Sequence, residues 1–127
     1  HQKNIVVKPL IGPSSIVLSI MASGFNGQNF AFVGYLPIEK PQRSKRIKEL
    51  ESLALKSNQA QFFIETPYRN GQLFDDLIQT LKPETLLFIG INLTSSTEKL
   101  LSKSVKMWRQ TPKPDFHKIP VVFGIYR

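Results

Sequence analysis

Apolar residues in this chain fall into short runs separated by amphipathic stretches, the alternation that builds an α/β fold. Ile5 to Val7 is a β-branched run that continues through Leu10 and Ile11. Gly12-Pro13 interrupts it, predicting a strand that closes in a tight turn. Ser14 is placed to cap a helix reaching Ser23, almost all apolar apart from Ser15, Ser19 and Ser23 at four-residue spacing. Such a helix is buried, and its narrow polar stripe lets a neighbour approach closely.

Phe30 to Tyr35 reads as the next strand. Residues 41–57 follow as an amphipathic helix, with Ile47, Leu50, Leu53 and Ala54 inward and the basic side chains outward. Ala60 to Glu65 is a third strand. A helix over 67–81 then places Leu73, Phe74, Leu77, Ile78 and Leu81 on one face, with Pro67 in its first turn. The run from Leu86 to Leu93 is continuously apolar, the pattern of a strand covered on both faces. Ser95 and Glu98 have the spacing of a capping box, predicting a short helix to Val105. Residues 107–117 read as a loop, and Ile119 to Tyr126 as the last strand.

Five strands alternating with helices predict a single α/β domain over residues 1–127, its five-stranded sheet mixed but mainly parallel and flanked by helices. The turns Gly12-Pro13-Ser14-Ser15, Glu65-Thr66-Pro67-Tyr68-Arg69 and Leu93-Thr94-Ser95-Ser96 then follow strand ends. Parallel strands would gather all three on one rim, where ligands of open α/β sheets sit.

Composition narrows the chemistry. There are no cysteines, which excludes disulfides, thiolate metal sites and cysteine nucleophiles, and two histidines leave no basis for a metal centre. No apolar run is long enough for a membrane span and no secretory leader is visible, so the expected location is the cytoplasm, with no membrane partner. The chain starts without Met and enters a strand at once, as a piece of a longer protein would.

The net charge of +8 is unevenly spread. Residues 39–57 carry six basic groups against three acidic ones, and residues 99–127 carry seven against Asp115 alone. Such clusters suit nucleic acid, or simply form a solvated face.

Three features of the rim could carry function. The helix start after Gly12-Pro13 could hold an anion on free N–H groups, or be an ordinary capped start; it is neither a Walker loop nor a dinucleotide fingerprint. Glu65 could accept a hydroxyl proton or bind a ribose, Arg69 could hold a phosphate, and Tyr68 could stack on a base. Alternatively Glu65 and Arg69 form an ion pair between strand end and helix start. Among the aromatics, Tyr35 and Trp108 are candidates for exposed contacts, whereas Phe30 and Phe32 read as a core strand. No Ser–His–Asp or Cys–His set can be assembled.

Val7-Lys8-Pro9-Leu10-Ile11-Gly12-Pro13-Ser14-Ser15, Met21-Ala22-Ser23-Gly24, Phe30-Ala31-Phe32-Val33-Gly34-Tyr35-Leu36-Pro37, Phe63-Ile64-Glu65-Thr66-Pro67-Tyr68-Arg69 and Asn92-Leu93-Thr94 occur in this order. Together they resemble the C-terminal half of the tetrapyrrole-methylase superfamily, the class III S-adenosylmethionine (SAM)-dependent methyltransferases. The nearest branch is the small-subunit ribosomal RNA 2′-O-ribose methyltransferases. The resemblance spans nearly the whole chain.

It implies two facing α/β domains with SAM in the cleft between them. The sequence lacks the Ser-Asp-Ala-Gly-type signature of the N-terminal domain, and it stops at Tyr126-Arg127, where the ribosomal branch continues into a helical extension. The resemblance assigns SAM contacts to Gly12, Pro13, Ser14, Phe63, Ile64, Leu93, Thr94, Pro120 and Val121. It places Tyr35, Tyr68 and Arg69 on the substrate side, with Glu65 as the candidate base. It further implies an RNA substrate, partnership with the N-terminal domain, and a homodimer. The rivals are a methylase of a tetrapyrrole-like small molecule and a non-catalytic RNA-binding or dimerisation module.

Overall fold

The computed structural model describes residues 15–116 and 118–127; the predicted first strand and the Gly12-Pro13-Ser14 turn lie outside them. Nine elements follow in order: α1 (Ser15–Ser23), β1 (Phe30–Tyr35), α2 (Lys40–Lys56), β2 (Ala60–Ile64), α3 (Asn70–Thr80), β3 (Leu86–Ile91), β4 (Lys99–Ser104), α4 (Val105–Gln110) and β5 (Val121–Tyr126). A 3₁₀ turn, Pro67–Arg69, joins β2 to α3.

The strands form one sheet in the order β1-β2-β5-β3-β4. Among the described residues only β1 and β2 pair in parallel; β2–β5, β5–β3 and β3–β4 are antiparallel. The α/β class holds, but the sheet is not mainly parallel. The reason is that β5 inserts between β2 and β3 running against both, and β4 folds back on β3 as a hairpin. The predicted capping box belongs to that hairpin's turn. Ser95 Oγ accepts from Thr97 N–H at 3.2 Å, and Glu98 N–H donates to the Ser95 carbonyl. With Asn92 and Thr94 at positive φ (53° and 70°), the chain reverses into a strand instead of entering a helix.

Strand alternation divides the core between the two faces of the sheet. On one face α2, α3 and α4 cover Phe63, Leu87, Ile89, Phe123 and Ile125. Ile47, Leu50, Leu73 and Leu77 face them fully buried. Leu53, expected inward, is exposed, because the inward stripe of α2 runs through positions 43, 47, 50, 51 and 54. On the other face lie Ile20, Phe25, Ala60, Phe62, Phe88 and Val122. α1 packs mainly on the β4–β5 side, and Phe30 and Phe32 on the edge strand are exposed, against expectation.

Gly124 stands in register between Phe62 and Phe88, and the two rings fold over it beneath Phe25. A Cβ at Gly124 would lie 2.7 Å from the Phe62 ring, so only glycine fits this row.

Candidate functional site

β1, β2 and β3 run in one direction, and β5 runs against them. The ends at Tyr35, Ile64 and Ile91 and the start at Val121 therefore meet on one rim, as the pairs Tyr35–Ile64, Ile64–Val122 and Ile91–Val121 record. The register shift between Phe32 and Tyr35, with Gly34 at φ 74°, is a β-bulge that brings Tyr35 to this edge. Ser19 Oγ lies close to Gly90, and Ser102 Oγ donates to the Ser23 carbonyl further down the sheet, so α1 begins at the rim and runs away from it.

A cleft of about 260 Å³ opens there. Ile64, Pro67, Leu93, Pro120, Val121 and Val122 give it apolar walls, with bare backbone at Gly90. Its polar side chains are Glu65 and Asn92. Asn92 N–H is tied to the Pro120 carbonyl at 3.0 Å, which clamps the β3 end to the entry of β5. Apolar walls with a few fixed polar groups are the usual make-up of a small-molecule site. The volume falls below the ~300–1,000 Å³ of a complete one.

Glu65 is not a free carboxylate. Its Oε1 accepts the Thr66 N–H at 2.7 Å and Arg69 Nε at 3.3 Å, and its Oε2 accepts Arg43 Nη2 at 2.6 Å. Arg43 is fully buried; it also donates through Nη1 to Asp76 at 3.1 Å and through Nε to the Pro37 carbonyl at 2.8 Å. One guanidinium thus ties α2, the loop after β1, the end of β2 and α3 together. This arrangement fixes the rim turn. It is the ion-pair alternative for Glu65 and Arg69, enlarged by a second arginine expected to face solvent.

Of the residues expected at the site, Ile64, Glu65, Leu93, Pro120 and Val121 come together on the cleft. Phe63 does not: alternation sends it into the opposite face, where it stacks on Phe123 at 5.9 Å. Thr94 is exposed on the hairpin turn, outside the lining. Gly12, Pro13 and Ser14 are outside the described residues. Tyr35 and Tyr68 are exposed near the rim, 63% and 72% accessible, with Lys118 Nζ 5.8 Å from the Tyr68 ring centre. Trp108 is buried, not an exposed contact; its Nε1 donates to the Leu87 carbonyl at 2.9 Å. Among the described residues no group of three metal-binding side chains occurs.

Sequence reasoning missed Arg43, Asp76, Gly90, Asn92 and Val122. For the first two the signal was present: Arg43 lies four residues before Ile47, and Asp76 falls between Leu73 and Leu77, both on inward faces.

No protein-family model matches the chain. Over 125 residues it is 30% identical to "Ribosomal RNA small subunit methyltransferase I" of Buchnera aphidicola subsp. Schizaphis graminum, covering 96% of this chain and 42% of that protein. Over 100 residues it is 27% identical to the protein of the same name from Vibrio cholerae serotype O1, covering 79% of this chain and 33% of that one. The chain therefore spans less than half the length of the curated relatives it matches. Among solved structures, the methyltransferase CobJ superposes with a TM-score of 0.56 at 15% identity, over 91% of this chain and 48% of that one, a likeness of fold.

Proposed function

We propose that this chain belongs to the tetrapyrrole-methylase superfamily and is the C-terminal cofactor- and substrate-binding domain of a SAM-dependent methyltransferase, acting on ribosomal RNA at a ribose 2′-hydroxyl; its likeness to the ribosomal RNA small subunit methyltransferases supports the reading. The observation that carries the reading is convergence. Ile64, Leu93, Pro120 and Val121, assigned to the cofactor by resemblance from three separate segments, line one cleft. Its volume suits one wall of a site that a facing N-terminal domain completes.

The residues present fit such a cofactor. Backbone at Gly90 and the side chains of Leu93, Val121 and Val122 offer an apolar surface to a purine or thioether, and Asn92, whose Nδ2 already donates to Thr97 Oγ1, offers its amide oxygen. SAM supplies the electrophilic methyl group on a sulfonium. Transfer of that kind depends heavily on holding donor and acceptor in line. In this reading Glu65, Arg43 and Arg69 hold the rim turn rigid, and Tyr35 and Tyr68 offer ring faces to an acceptor nucleotide. For Glu65 to take the hydroxyl proton, it would have to yield some of its bonds to the arginines.

The reading extends to a cytoplasmic homodimer. No helix among the described residues is long and apolar enough to cross a membrane. The exposed Val17, Met21, Phe30 and Phe32 offer apolar area for a second subunit to cover.

The test joins this chain to an N-terminal domain of the superfamily and supplies radiolabelled SAM and small-subunit ribosomal RNA. Label should enter the RNA and block alkaline cleavage at one phosphodiester bond, because a methylated 2′-oxygen cannot attack the adjacent phosphate. Label in a base, or in a small molecule only, would refute the ribose assignment.

A further inference from the structure

A second concavity, of about 380 Å³, lies at the other end of the sheet. It is lined by Lys48, Ser52 and Lys56 of α2, Thr80 at the end of α3, Lys82 just after it, and Arg127 just past β5. Arg127 is six residues along an extended strand from Val121 at the cleft, so the two sites stand ~20 Å apart. Four cations converge on this groove. None of them makes an ion pair among the described residues, whereas Lys40, Arg43, Arg46, Arg69 and Lys113 all do.

One ordinary explanation is that lysines at helix ends offset the helix dipole, since α2 and α3 both finish here. The magnitudes decide against it as a full account. Two helix ends contribute about −0.5 each, and Glu51, the one carboxylate lining the groove, adds one negative charge. Four cations leave roughly +2 uncompensated. Moreover, the terminal carbonyls of α3 are already served by Arg109, which donates to the Ile78 and Leu81 carbonyls at 2.9 and 3.1 Å. Glu51 is likewise engaged, accepting Lys82 N–H at 2.8 Å and Thr85 Oγ1 at 2.6 Å. This fixes the Lys82 backbone at the groove's edge. The Ser52 and Thr80 hydroxyls add neutral donors. Uncompensated ammonium and guanidinium groups around a concavity with hydroxyls are the chemistry of a phosphate site.

We propose that this groove binds phosphates of an RNA backbone, at a docking site remote from the cleft. The choice of RNA rests on the proposed function, but binding there needs no methyl donor, so the groove can fail while methyl transfer to RNA holds, and the reverse.

The test compares Lys56→Gln/Lys82→Gln with the charge-matched control Lys45→Gln/Lys99→Gln. All four lysines are exposed, and thermal unfolding confirms folding of each variant. Affinity for a single-stranded RNA oligonucleotide is measured without SAM from 0.05 to 0.5 M salt. Losing two phosphate contacts should lower the slope of log K against log[salt] by about 1.4. At 0.1 M salt that is roughly 25-fold weaker binding, and the control should change much less. Equal loss in the two variants would overturn the site, leaving only diffuse charge. Saturation of the groove amides by inorganic phosphate, at constant ionic strength and with no RNA effect, would reassign it to a small anion. Preference for anionic phospholipid vesicles over RNA would equally refute the RNA backbone as ligand.

Discussion

Arg43→Met tests the claim that one buried guanidinium holds the candidate site together. The substitution keeps much of the aliphatic volume and removes three donated hydrogen bonds, to Glu65, Asp76 and the Pro37 carbonyl. Glu65 would keep Thr66 N–H and Arg69. Asp76, with a side chain only 6% accessible, would keep just the exposed Lys40 at 4.0 Å. Breaking a buried ionic network from one side costs about 3–5 kcal/mol, because the remaining charges stay buried without a partner. A domain of this kind has about 5–15 kcal/mol in total, so the loss is a large fraction. Urea denaturation followed by tryptophan fluorescence reads it directly, since Trp108 is buried. Arg43→Lys should fall between, keeping the charge without the fork that reaches three acceptors. A double-mutant cycle with Glu65→Gln should show coupling above ~1 kcal/mol. A cost for Arg43→Met below ~1 kcal/mol, the scale of an exposed pair, would refute the reasoning.

Gly124→Ala places a Cβ 2.7 Å from a Phe62 ring boxed in by Phe25 and Phe88, and should cost about 1–3 kcal/mol. Thermal denaturation should show partial recovery in Gly124→Ala/Phe62→Leu, where the clashing ring is gone. Glu65→Gln separates two roles in the two-domain protein. A proton acceptor would lose about 10²-fold or more in turnover under conditions where the variant is folded. An anchor loses about 1.5–3 kcal/mol of stability with turnover within roughly tenfold. Its engagement by Arg43 and Arg69 makes the anchor the expected result, and a large turnover loss without destabilisation would reverse it.

The strands at 30–35, 60–64, 86–91 and 121–126 were legible because each is a short apolar run between turn residues. Their directions were not. Periodicity marks which side chains share a face but carries no sign for the strand, so β5 could be placed in the sheet but not oriented. Lys99–Ser104 escaped because an exposed edge strand needs no apolar alternation, and Ser95–Glu98 imitates a helix start. The meeting of the β2 and β3 ends on one rim does not depend on these errors, since the two strands remain co-directional whatever β5 does. Side-chain placement failed where charge was taken to mean exposure. Arg43 sits on the apolar stripe of α2, and only tertiary contact with Glu65 and Asp76 makes that tolerable.

The central position of β5 constrains how any protein carrying this chain is made. Ribosomal synthesis delivers β1–β2 and β3–β4 well before the strand that joins them. Until residues 121–126 emerge, two separate ribbons present unpaired inner edges, and such edges invite association with other nascent chains. Removing those residues should therefore yield insoluble material, with neither ribbon able to shield the other.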